Sequence, residues 1–141
     1  MTADDTRRFV TIDRDREHHY IVTNARGGTI TIGDGSDGEF TPVELLLTAI
    51  GGCTAVDVDI VTSRRAEPES FLVDVAATKA SDEQGHHLTD IAVTFKVVFP
   101  DSEGGEKARA VLPGIVRQSH DRLCTVSRTV EIGTPITTRV E

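Results

Sequence analysis

The stretch from Pro42 to about Arg64, with VELLLTAIGGCTAVDVDIV inside it, limits the possible folds more than any other part of the chain. It opens with helix-start chemistry: Thr41 stands at the N-cap, Pro42 at N1 and Glu44 at N3, the spacing of a capping box. From there the sequence is apolar nearly all round, and a helix of that kind has to be buried on most of its faces. A chain of 141 residues holds one hydrophobic core of ordinary size. Full burial is therefore easier if a second subunit covers one side. Gly51 and Gly52 cost helix stability, roughly 1 kcal/mol each relative to Ala. Small residues there permit close backbone approach, which suits a helix–helix crossing or a site where a substrate reaches the main chain.

The flanking segments read as strands. Residues 8–33 contain RFVTIDR, HYIVTNA and GTITIGD, with Asn24 and Gly27-Gly28 as turn residues. The alternation Thr29-Ile30-Thr31-Ile32 predicts a sheet with one wet face. A flexible loop, GDGSDG, joins it to the helix. Phe71 to Ala80 and Leu88 to Phe99 form a second strand pair around a turn at Asp82 to Gly85. A second helical region runs from Glu106 to about Arg122, with a kink or break forced by Pro113-Gly114. Cys124 comes after it, and a last strand is expected around Thr129 to Thr138. The order βββ-α-ββ-α-β is an α+β layout of antiparallel sheets around a long buried cysteine helix, in a single domain over 1–141.

Composition removes several function classes. The net charge is −8 and aromatic residues make up 4% of the chain, with no basic stripe. The footprint of a nucleic-acid binder is missing, and anionic lipid is disfavoured. No apolar run approaches the roughly 18 residues of a membrane span, since Glu44 and Thr48 interrupt the longest one. The start, MTADDTRRF, lacks the apolar stretch of a secretory signal, so a cytoplasmic location is expected. His18-His19 and His86-His87 fall in expected strands, where neighbours face opposite sides, so no metal or other cofactor is expected. The two cysteines, Cys53 and Cys124, lie 71 residues apart. They cannot form a zinc site by themselves and are not the framework of a small secreted domain, which leaves two thiols in a reducing compartment. Burial preference alone would make each a small hydrophobe. Spacing leaves the choice open.

Two segments carry a resemblance. TPVELLLTAIGGCTAVDV at 41–58 resembles the first-cysteine motif of the OsmC/Ohr family, and SHDRLCTVSRTVE at 119–131 is similar to its second-cysteine motif. Order and length match as well, over essentially the whole chain. The resemblance implies an intertwined homodimer whose sheets enclose the cysteine helices. It also implies a thiol-dependent peroxidase acting on hydroperoxides, organic ones in preference. By carry-over Cys53 is the peroxidatic thiol and Cys124 the resolving one. A dithiol reductant, such as a lipoylated protein, then restores the pair. The same fold also admits a non-catalytic dimer that binds a small hydrophobic ligand or senses redox state.

A free thiol, with pKa about 8.5, is mostly protonated near neutrality, so a peroxidatic cysteine needs a nearby cation. Cys53 lies too far into its helix for the dipole to supply one. In the family an Arg of the N-terminal hairpin, held by a Glu near the start of the cysteine helix, does so. Arg14 and Arg16 are the candidates here, and Arg14-Asp15 matches the family's Arg-Asp more closely. Glu44 is the candidate acid. It stands one residue later than in the organic-hydroperoxide branch, where the acid takes the place of Val43, and so lies about 100° further round the helix. Glu44 serves equally as a capping-box partner. His120 and Arg128, each four residues from Cys124, would approach it on a helical turn, although both residue types are commonly solvated. Asp57 and Asp59 are expected to point to solvent or to a cation, because facing Cys53 they would raise its pKa. Arg64-Arg65 reads as a charge pair at a helix C-terminus.

Overall fold

The structure is a computed structural model that describes residues 6–141. The chain divides into two compact units, one reaching to Leu46 and the other Leu47–Glu141. The first holds strands β1 (Val10–Arg16), β2 (His19–Asn24) and β3 (Thr29–Gly33), which pair antiparallel in the order β1-β2-β3. Helix α1 (Pro42–Ser63) starts in this unit and continues into the second. There it is followed by β4 (Ser70–Asp82), β5 (Gly85–Val98), α2 (Glu103–Gln118), one turn of π-helix (Ser119–Leu123) and α3 (Thr125–Glu131).

In the first unit local chemistry sets the register. The Asn24 side chain accepts the main-chain N–H groups of Arg26 and Gly28, and Gly27 takes φ +89°, closing the β2–β3 hairpin. Paired residues share a face, so Val10, Ile12, Val22 and Ile30 line one side of the sheet. Thr11, Asp13, Ile21, Thr23, Thr29 and Thr31 line the other; residue types alternate, but Val10, Ile12 and Ile30 are exposed on the chain, so the single wet face expected is not formed. Asp15 is the extra residue of a bulge between the pairs Arg14–Tyr20 and Arg16–His19. Its carboxylate lies 3.2 Å from Nδ1 of the buried His19. His18, expected in a strand, occupies the turn instead, at φ +59°.

The capping box of α1 forms as the sequence indicates. Thr41 N–H donates to Glu44 Oε1 at 2.9 Å, and Glu44 N–H donates to Thr41 Oγ1 at 3.2 Å. The Thr41 N–H first, and the Thr41 hydroxyl second, hold the exposed Glu44 carboxyl below its ordinary pKa. At the other end Arg65 Nη1 donates to the Val61 carbonyl at 3.0 Å, the C-terminal role read for that residue. Burial is less complete than the sequence suggests. Only Ile50, Gly51, Thr54, Val58 and Thr62 are buried, a single stripe, while Val56 and Ile60 stay exposed on the chain. By length and composition alone α1 would also pass as a membrane span. Its buried stripe has the pattern of a helix laid on a sheet.

In the second unit β4 and β5 form one long antiparallel hairpin, with Phe71, Val73, Val75, Val93 and Phe95 half-buried on one face. Phe71 and Phe95 meet edge to face at 6.3 Å. Gly51 lets α1 close on this face, because a Cβ there would run into Cγ2 of Val75. Within the chain the close approach is thus helix on strand, where the sequence predicts a helix–helix crossing or a substrate site, and Gly52 has no atom of the chain within 4 Å of an added Cβ.

The C-terminal third departs furthest from expectation. α2 runs through Pro113 without ending, and the expected last strand at Thr129 to Thr138 is not formed. Residues 125–131 are helical instead, because Cys124 caps them: its sulfur accepts the Ser127 N–H at 3.3 Å. Beyond Gly133 the chain has no regular structure.

Candidate functional site

The two cysteines converge although 71 residues separate them. Cys53 sits midway along α1, and Cys124 sits at the junction of the π turn and α3. Both are free thiols, Cys53 half-buried and Cys124 1% exposed, and they lie close enough for each to shift the ionisation of the other. Helix α3 turns its first N–H groups toward the pair: Ser127 N–H bonds Cys124 at 3.3 Å, and the Val126 N–H acts on Cys53 to lower its pKa. Cys124 also lies 3.2 Å from Ser127 Oγ and within hydrogen-bonding reach of the Thr54 hydroxyl.

This arrangement divides the proton unequally. Burial pushes the Cys53 thiol up, and the Cys124 sulfur and the Asp57 carboxylate push it further. Burial also acts against ionisation of Cys124, but it is outweighed by donors from Cys53, from the Ser127 hydroxyl and N–H, and from Thr54, so that thiol falls below its ordinary value. Of the two, Cys124 is the more readily ionised, so a half-buried thiol stands beside a buried, hydrogen-bonded sulfur that is the better proton donor of the pair.

Sequence reasoning missed two residues of this site and misplaced a third. Thr54 and Ser127 read as ordinary small residues, and only their positions next to Cys53 and three past Cys124 connect them to the sulfurs. Asp57, expected to face solvent or a cation, turns inward and accepts the Ser119 hydroxyl at 2.7 Å. The signal for this was present only in its spacing, one turn after Cys53.

A cavity of about 440 Å³ adjoins the thiols. Thr54 and Ser127 form part of its wall, and Ile50, Val93, Phe95 and Val130 make it mainly apolar. His120, considered as a neighbour of Cys124, lines this cavity, its ring nitrogens 2.9 Å from Asp121 Oδ1 and 2.7 Å from Glu131 Oε1. Those two carboxylates, Asp121 foremost, raise its pKa.

Arg14 and Glu44 lie in the N-terminal unit. The bulge at Asp15 separates the two candidate arginines. Arg14 pairs with Tyr20 and takes the apolar face of the sheet, whereas Arg16 pairs with His19 and takes the opposite one.

Fold and site together define an α+β protein in which a half-buried cysteine on a long helix meets a buried cysteine that caps the last helix. The family model described as OsmC-like protein matches residues 33–139, and the chain belongs to that family. An uncharacterised protein of Mycobacterium tuberculosis is 28% identical over 130 residues, which cover 92% of this chain and 93% of that protein. Among solved structures, an OsmC-like protein of unknown function from Vibrio cholerae superposes with a TM-score of 0.73 at 14% identity, covering 89% of this chain and 94% of that one. The organic hydroperoxide resistance protein OhrB of Bacillus subtilis superposes with a TM-score of 0.52 at 20% identity, covering 88% and 90%.

Proposed function

We propose that this chain is a thiol-dependent peroxidase that reduces organic hydroperoxides through Cys53 and Cys124. The observation that carries the reading is the convergence of the chain's two thiols, one half-buried and one buried among donors that lower its pKa. The family supports it, since the Bacillus subtilis relative is an organic hydroperoxide resistance protein.

The chemistry runs in two steps. Cys53 sulfur attacks the peroxide oxygen distal to the organic group; the S–O bond forms, the O–O bond breaks, and the alcohol leaves with a proton. Cys124 thiolate then attacks the Cys53 sulfur of the sulfenic acid; the S–S bond forms and hydroxide leaves as water after protonation. A dithiol reductant reverses the disulfide by exchange. The apolar cavity beside Thr54 and Ser127 suits the carbon skeleton of an organic peroxide. Arg14 is the cation assigned to favour the Cys53 thiolate, with Glu44 as its acidic partner. A homodimer is part of the proposal: Val56 and Ile60, exposed on the chain's central helix, are what a second subunit would cover.

The raised Cys53 pKa favours a second reading, a dimer on the same fold that binds a small hydrophobic ligand or senses redox state without turnover. Thiol titration of the reduced protein, before and after one equivalent of cumene hydroperoxide, separates the two. The peroxidase loses both thiols rapidly, regains them with a dithiol, and consumes no peroxide as Cys53→Ser. Thiols that survive an hour of exposure favour the binding protein.

A further inference from the structure

Ser119 is fastened at both ends. Its side chain is fully buried, and its hydroxyl donates to Asp57 Oδ2 at 2.7 Å. Its carbonyl accepts the Cys124 N–H at 2.8 Å, the bond that closes the π turn. Asp57 lies on α1 one turn past Cys53. One buried residue thus ties the main chain of one cysteine to the helix that carries the other. π turns insert one residue into an otherwise helical run and recur at functional sites, because the extra residue re-aims the chain beyond it. The residue re-aimed here is Cys124, which leaves helical geometry at φ −76°, ψ 103°.

We propose that Asp57 and Ser119 are a positioning pair for the thiol site: their hydrogen bond clips the Cys124 turn onto α1 and sets the effective concentration of one sulfur at the other. Neither side chain takes part in the chemistry. From the proposed function the inference takes only that Cys53 and Cys124 can be joined as a disulfide.

A disulfide tolerates a narrow range of Cβ–Cβ separation, so a turn free to shift spends less time where the bond can close. The bond to be lost is one to a carboxylate, of the stronger kind, and its loss should lower the effective concentration roughly tenfold. In an exchange equilibrium with dithiothreitol, where the protein disulfide is reduced as the dithiol is oxidised, tenfold corresponds to about 30 mV for two electrons.

The test is the reduction potential of the Cys53–Cys124 disulfide in dithiothreitol redox buffers at constant pH, in the full chain. Asp57→Ala and Ser119→Ala should each raise the potential by about 30 mV, and the double variant by no more than either single one. Asp57→Asn, whose amide oxygen still accepts the Ser119 hydroxyl in a weaker, neutral bond, should shift the potential by less than half as much as Asp57→Ala. Unchanged potentials in both alanine variants overturn the proposal. So does an Asp57→Asn shift as large as that of Asp57→Ala, which would put the effect in the charge. If Ser119→Ala does not fold, the half-exposed Asp57 pair decides alone. No peroxide enters the assay, so a chain without peroxidase activity still gives the answer.

Discussion

Adjacent glycines on α1 should respond oppositely to the same substitution. Replacing either by Ala gains about 1 kcal/mol of helix propensity. At Gly52 nothing lies within 4 Å of the new Cβ, so Gly52→Ala should be stabilising by that amount. At Gly51 the Cβ meets Cγ2 of Val75, and overpacking of a closed contact costs about 1–3 kcal/mol. The net effect of Gly51→Ala is then a loss of about 1 kcal/mol. Urea unfolding of the reduced protein at one fixed protomer concentration reads both. With a slope of about 2 kcal/mol/M, the midpoints should move about 0.5 M in opposite directions. A double-mutant cycle isolates the cause. In a Val75→Ala background the obstructing methyl is gone, and Gly51→Ala should become stabilising, a coupling of about 2 kcal/mol. Additivity of Gly51→Ala and Val75→Ala within about 0.3 kcal/mol would refute the argument.

Other expectations concern the charged groups and the thiols. Arg14→Ala should slow peroxide consumption by more than tenfold, the loss expected if a charge that favours the thiolate is removed; Arg16→Ala, on the opposite face, should leave the rate unchanged, and equal loss in both would reject the assignment. His120 has a raised folded pKa, so its stabilising contribution is fully present below the unfolded value of about 6.5 and is lost as pH rises through the folded one. His120→Gln should therefore be less stable than wild type in denaturant at pH 5.5, with the gap closing at alkaline pH. In Cys53→Ser the only thiol left is Cys124, and its thiolate absorbance near 240 nm should titrate at lower pH in the folded protein than in urea, because the Ser127 and Thr54 donors remain. A folded midpoint at or above the unfolded one contradicts the donor set around the sulfur.

What was legible in the sequence was local. The Thr41–Glu44 box, the Asn24–Gly28 turn and the Asp82–Gly85 turn each depend on residues a few positions apart, and each forms where its spacing indicates. The last helix was not legible as one. Thr125, Val126, Thr129 and Val130 are β-branched, as in a strand, and the segment turns helical because Cys124 supplies the cap. Cysteine is an uncommon cap, so the signal could be read only once the sulfur was placed. Pro113 argued for a break that tertiary packing overrides, with Ala108 and Ile115 buried on either side of it. The inward turn of Asp57 depends on a partner 62 residues away. No periodicity encodes such a contact. Cys53 and Cys124 were found through resemblance, and the structure adds how the proton is divided between them.

That division bears on the order of events. The accessible sulfur is the less acidic one, so a peroxide meeting Cys53 meets a thiol and not the thiolate that the attack needs. Cys124 is the thiol of the pair that ionises first. On the proposed peroxidase reading, once Cys124 is a thiolate, passing the Cys53 proton to it moves the charge to Cys53 without a further ionisation. After attack the departing alkoxide takes the proton back from Cys124, which leaves the Cys124 thiolate ready to close the disulfide. A residue that only resolves would not affect the first step; one that accepts the proton would. Cys124→Ser keeps a hydroxyl at the position but loses the base, so Cys53 sulfenic acid should form at least tenfold more slowly than in wild type, within the usual worth of a positioned base. Stopped-flow trapping of the sulfenic acid with dimedone measures that first step directly. Formation at the wild-type rate in Cys124→Ser would restrict Cys124 to resolution and require another group, with Arg14 the first to examine, to make Cys53 nucleophilic.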